Sequence, residues 1–125
     1  MINDLSNSLA DRMVNLSPEV RAFCEENSRK IAGDLPRFQT MADAWVFLVL
    51  EGLKSGVKYE GELKRTKDAF RWRVVNSDFQ NILLLYGLCQ LKSANVPTYL
   101  SAESSEIILA LEEFAHQGAL LAPER

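Results

Sequence analysis

The sequence predicts a mostly α, four-helix single domain with a small two-stranded β element around residues 57–75. Four stretches place apolar residues at helical spacing between capping and breaking residues. Within 57–75 apolar and basic residues alternate instead, the period of half-buried strands. The length of 125 residues suits one core, since a chain this size buries roughly two-thirds of its unfolded surface. With 47% hydrophobic and 25% charged residues, the composition is that of a globular domain and excludes wholesale disorder. Residues 1–17 read as an N-terminal arm, ambiguous between helix, strand and mobile segment, ahead of a helical domain at 18–122.

The first helix follows Ser17-Pro18, a cap and a residue tolerated at the first helical position. Val20, Phe23, Cys24, Asn27 and Ile31 fall near one face, Gly33 supplies the stop, and 34–39 form a connector. The second helix runs from Met41 to Ser55 behind Thr40, with Asp43 as a short-armed capping box and Gly56 after it. It is apolar nearly all round, which calls for burial by several neighbours or by neighbours plus a partner chain. On the second alternative, Trp45, Leu48 and Val49 are the candidate partner interface.

Val57-Lys58-Tyr59 and Phe70-Arg71-Trp72-Arg73-Val74 read as two short strands joined by an exposed, charged connection. A third helix is expected from about Asp78 to Ala94, with Ile82, Leu85, Cys89 and Leu91 in its apolar set and Pro97 at its exit. The fourth, about Ala102 to Gln117, presents Ile107, Ile108, Leu111, Phe114 and Ala115, with Gly118 past its end.

The chemistry available is sparse. Cys24 and Cys89 lie in apolar stretches and read as reduced thiols packed as small hydrophobes. Two cysteines and one histidine are too few for a structural zinc site. His116, late in the fourth helix, reads as a structural residue favoured by the helix C-terminus. No serine sits in a G-x-S-x-G elbow and no glycine-rich loop is present to cradle a phosphate. Glu62-Leu63-Lys64, with Asp43 or Glu51 upstream, has the letters of a metal-dependent nuclease, but a helix is expected where the nuclease sheet belongs. No catalytic residue, metal ligand or cofactor is therefore expected, and the chain is not expected to be an enzyme. The longest apolar runs, 44–50 and 82–89, fall short of a membrane span. The N-terminus does not show the charged-then-apolar profile of a secretory signal, so the expected location is the cytoplasm.

Charge is unevenly placed. The net charge is −3, yet Lys54 to Arg73 carries seven basic residues against Glu60, Glu62 and Asp68, a local balance of +4. Such a segment steers a polyanion to one face. Lys58, Lys64, Arg65, Lys67, Arg71 and Arg73, interleaved with Tyr59, Phe70 and Trp72, form the candidate nucleic-acid-binding set, and weak electrostatic DNA binding is expected.

Two resemblances follow from the order of motifs. Phe38-Gln39-Thr40, Asp43-Ala44-Trp45-Val46-Phe47 and Gly52-Leu53-Lys54-Ser55-Gly56-Val57 are followed by Phe70-Arg71-Trp72-Arg73-Val74, Asp78-Phe79-Gln80-Asn81-Ile82 and Glu112-Glu113-Phe114-Ala115-His116-Gln117-Gly118. Over residues 38–118 this resembles small accessory proteins encoded beside bacterial DNA-phosphorothioation (Dnd-type) modification and restriction systems. The resemblance implies a role in phage defence or in control of a DNA-modifying complex, and brings no active-site residue with it. The second lies in Arg12-Met13-Val14-Asn15-Leu16-Ser17, then Pro18-Glu19-Val20 and two helices, which looks like a ribbon-helix-helix DNA-binding dimer. The expected function is thus a non-enzymatic accessory protein of a prokaryotic defence system, acting through protein or DNA contacts, with a protein partner or a second copy of itself. A ribbon-helix-helix-like transcriptional regulator is the alternative.

Overall fold

The computed structural model describes residues 9–28, 37–56, 59, 61–64, 66, 68–89 and 104–121. The elements in chain order are β1 (Met13–Asn15), α1 (Pro18–Ser28), α2 (Met41–Ser55), β2 (Asp68–Arg71), a 3-10 turn (Trp72–Val74), α3 (Ser77–Cys89) and α4 (Ser104–Leu121). Among the described residues the fold is mostly helical, with four helices and one small antiparallel sheet.

Each of the first two helices begins where its cap dictates. Ser17 Oγ accepts the Val20 N–H at 3.3 Å and its carbonyl accepts the Arg21 N–H at 2.8 Å. Thr40 Oγ1 accepts the Asp43 N–H at 3.1 Å. Gly56 closes α2 in the left-handed region (φ 75°), its N–H donating to the Leu53 carbonyl at 3.1 Å.

α2 and α4 form the centre and pack most extensively on each other. A Cβ added at Gly52 would lie 2.0 Å from the Phe114 carbonyl oxygen, and one added at Gly118 would lie 2.0 Å from that of Leu48. The two contacts are reciprocal: Leu48 meets Gly118 and Gly52 meets Phe114, so the helices run antiparallel and touch backbone to backbone. This is the geometry of Cα–H···O contacts, which span roughly 3.3–3.6 Å. Gly118, expected past the end of the last helix, lies within it; α4 continues to Leu121 because the glycine serves helix–helix approach and not termination.

That approach places α2 at the heart of the molecule. Trp45, Leu48 and Val49 are fully buried by their own chain, so the expected partner interface on this helix is corrected to core. Burial of its apolar surface is completed by α1, α4 and the segment that carries Phe70 and Trp72. On α3 the expected apolar set is corrected too: Leu83 and Leu84 face the core, while Ile82 and Leu85 are exposed.

The sheet differs from expectation in its pairing. Among the described residues the partner of β2 is β1: Met13 lies opposite Arg71, Val14 opposite Phe70 and Asn15 opposite Asp68, with a bulge between Val14 and Asn15. Tyr59 lies outside any strand, and Val57 and Lys58 lie outside the described residues. The physical reason is burial. Leu9, Val14 and Leu16 all enter the core, so the arm has an apolar side of its own and joins the cluster that holds the two tryptophans. From Leu9 onward the arm belongs to the domain. β2 also ends early, because Trp72 turns into the core and the chain tightens into the 3-10 turn, which leaves Val74 exposed.

Candidate functional site

Trp72 anchors the basic segment. It is fully buried and meets Trp45 edge to face, with ring centroids 6.4 Å apart at 90°. Phe70 meets the same Trp45 ring at 5.8 Å. The residues flanking Trp72 are consequently turned outward, and Arg71 and Arg73 are both exposed. Their guanidinium groups converge on Asp11: Arg71 Nη1 lies 3.5 Å from Asp11 Oδ1, and Arg73 Nη2 pairs with the same oxygen. One carboxylate shared between two guanidiniums leaves a net positive cluster, and the exposed Arg12 adjoins it in sequence.

Of the six expected nucleic-acid-binding residues, then, Arg71 and Arg73 are brought together. Lys64 is exposed in an irregular segment, and Lys58, Arg65 and Lys67 lie outside the described residues. Asp11 and Arg12 were missed because the N-terminal arm was not expected to cross the basic strand. The three aromatic residues are not surface platforms: Trp72 is buried, Phe70 packs on Trp45, and Tyr59 packs on His116.

A second polar cluster is internal. His116 is buried on α4, and its Nδ1 lies 2.7 Å from Ser17 Oγ and 3.6 Å from a Glu19 carboxylate oxygen. The Tyr59 ring meets the imidazole at 4.3 Å. One turn earlier, buried Glu112 accepts the Asn15 N–H at 2.9 Å. Ser17 and Glu19 address the same imidazole nitrogen, whereas a hydrolytic triad places nucleophile and acid on opposite nitrogens. The arrangement fastens the β1–α1 junction onto α4. Only the separation of some hundred residues hid it in the sequence; a capping serine and a late-helix histidine each have ordinary local readings.

Cys24 is a free, buried thiol. Burial pushes it up to about 12, only partly offset by the Arg21 charge, so it is a neutral packing residue at neutral pH. Among the described residues no cluster of three or more His, Cys, Asp or Glu could hold a metal ion. No helix of these residues is long and apolar enough to cross a membrane.

The third feature is a groove of about 410 Å³ between α2 and the start of α3, lined chiefly by Arg37, Phe38, Asp43, Phe47, Leu50 and Phe79. The Arg37 guanidinium lies 4.8 Å from the Phe47 ring centroid, 5.3 Å from Phe38 and 5.9 Å from Phe23. It makes no ion pair among the described residues. Comparison with protein-family models, curated proteins and solved structures gave no match.

Proposed function

We propose that this chain is a non-enzymatic accessory protein of a prokaryotic DNA-modification and phage-defence system that works by contact, with DNA phosphates at Arg71 and Arg73 and with protein elsewhere. The observation that supports this reading is the outward Arg71–Arg73 pair, held where β2 runs into the 3-10 turn by the buried Trp72 between them. Two cations fixed to a packed segment meet phosphate oxygens with little ordering cost, and Arg forms bidentate contacts there. With Trp72 buried and Phe70 packed on Trp45, binding is electrostatic, indifferent to sequence and steeply weakened by salt. Asp11 opposes it by occupying both guanidiniums. The ribbon-helix-helix alternative draws less support, because β1 is paired to β2 of the same chain and its outward Asn15 N–H is taken by Glu112.

The test is a titration of duplex and single-stranded DNA at about 50 and 200 mM salt, conditions between which phosphate-driven affinity falls markedly. Arg71→Glu/Arg73→Glu abolishes binding and Asp11→Asn tightens it. Equal behaviour of all three proteins refutes the DNA contact. The defence assignment has its own check: sulfur-modification genes beside the gene support it, and a neighbourhood without them counts against it.

A further inference from the structure

In the groove between α2 and the start of α3, aromatic rings and no carboxylate hold the Arg37 guanidinium. Phe23 of α1 and Phe47 of α2 stack with centroids 6.0 Å apart, and Phe38 tilts onto them at 6.4 and 5.3 Å. Arg37 lies over all three rings. The chain is pinned beside it, since the Phe38 N–H donates to the Asn27 carbonyl at 3.0 Å. Attraction of a cation to ring faces consumes none of the guanidinium N–H donors. Arg37 is exposed and makes no ion pair or hydrogen bond among the described residues. It is a positioned cation whose donors are unused.

We propose that this groove binds a small amphipathic monocarboxylate, its carboxylate on Arg37 and its apolar body along Phe47, Leu50 and Phe79. Charge, size and wall chemistry select that ligand. Among the described lining residues Arg37 and Asp43 are the charged ones, and their charges cancel. A nucleic acid or an acidic peptide gains little from a neutral lining, and a dianion is repelled by Asp43. A single carboxylate matches a single guanidinium in the planar, two-bond geometry that arginine favours. The groove volume of about 410 Å³ falls within the roughly 300–1,000 Å³ of small-molecule sites. It also exceeds the roughly 150 Å³ that admits benzene. Val46, Phe47, Leu50 and Phe79 supply apolar wall, which a ligand covers without losing hydrogen bonds to water. None of these residues belongs to the Arg71–Arg73 pair, so the site stands or falls apart from the DNA contact.

Calorimetric titration of the full chain with naphthoate, its neutral isostere naphthamide and naphthyl phosphate tests the proposal, at about pH 8, where the phosphate is doubly charged. Naphthoate should bind with a Kd below about 1 mM, and the amide and the phosphate about tenfold or more weakly. Arg37→Gln should weaken naphthoate about tenfold and leave naphthamide unchanged, and Arg37→Lys should restore only part, because an ammonium offers no planar fork. Asp43→Asn should narrow the gap between phosphate and carboxylate. Phe79→Ala should weaken naphthoate and naphthamide alike, since it removes wall and not charge. Circular dichroism confirms that each variant is folded. No naphthoate binding at about 1 mM overturns the proposal, as does equal affinity for acid and amide, or binding indifferent to Arg37→Gln. A polyglutamate peptide that binds more tightly than naphthoate and depends on Arg37 overturns it too, in favour of an acidic protein partner.

Discussion

α2 and α3 are similarly apolar, yet they end in opposite situations. α2 is buried over most of its apolar surface, and Trp45, Leu48 and Val49 lose their whole surface. Among the described side chains of α3, Leu83 and Leu84 are the buried ones, while Phe79, Ile82, Leu85 and Tyr86 lie outside. The difference does not lie in the amount of apolar surface. It lies in two glycines: Gly52 and Gly118 let α2 and α4 touch along their backbones, which draws the flanking side chains of both helices over α2. Burial here is decided by how closely a neighbour can come, and hydrophobicity only sets what is gained when it does.

The sharpest way to break the comparison is to separate the central helices. Gly52→Ala or Gly118→Ala puts a methyl 2.0 Å from a carbonyl oxygen in the opposite helix. Neither backbone can yield locally, so each substitution should cost about 3 kcal/mol, the upper part of the usual overpacking range. Urea denaturation measures it. A loss below about 1 kcal/mol would mean the helices tolerate separation and that α2 is buried for another reason.

Titration of the buried thiol probes the same centre from α1. Cys24 shifts from 9.0 to about 12 through burial. A raised thiol pKa leaves stability intact below 9, where both folded and unfolded forms keep the proton. Between 9 and 12 the unfolded chain ionises and the folded chain does not, so stability falls by about 1.4 kcal/mol per pH unit over that window. Comparing wild type with Cys24→Ala at pH 8 and pH 10.5 isolates the effect. A pH profile unchanged by the substitution would show that water reaches the thiol.

A smaller loss is expected where α4 holds the ribbon. Glu112→Ala removes the acceptor of the Asn15 N–H, leaving a part-buried donor without its partner, which costs about 1–2 kcal/mol. Amide exchange at Asn15 should quicken more than at Leu83, which would place the effect at the β1 edge. The smallest effect belongs to the outer side of α3. Ile82→Asp removes an exposed side chain and should change the stability of the monomer by no more than about 0.5 kcal/mol. A dilute thermal melt checks this, and a large loss would mean that this face is covered within the chain.

Local chemistry alone determined much of the molecule. Thr40, Gly56 and Ser17 act within a turn of their own positions, and the helices begin or end at them as read. Four helices, their order and the outward turn of Arg71 and Arg73 follow from patterns a few residues long, because caps and side-chain periodicity are local forces. What was misread depends on partners far along the chain. Among the described residues β2 takes Met13–Asn15 as its partner, and Val14 and Leu16 of that arm join the core cluster that holds Trp45 and Trp72. Gly118 has the local look of a stop and acts as a spacer because Leu48 lies against it. The pairing of Arg71 and Arg73 with Asp11, the Ser17–His116 contact and the groove at Arg37 likewise join segments whose separation no periodicity encodes. Tertiary packing decided them, because burial energy depends on which surfaces meet and the sequence pattern shows only that a surface exists.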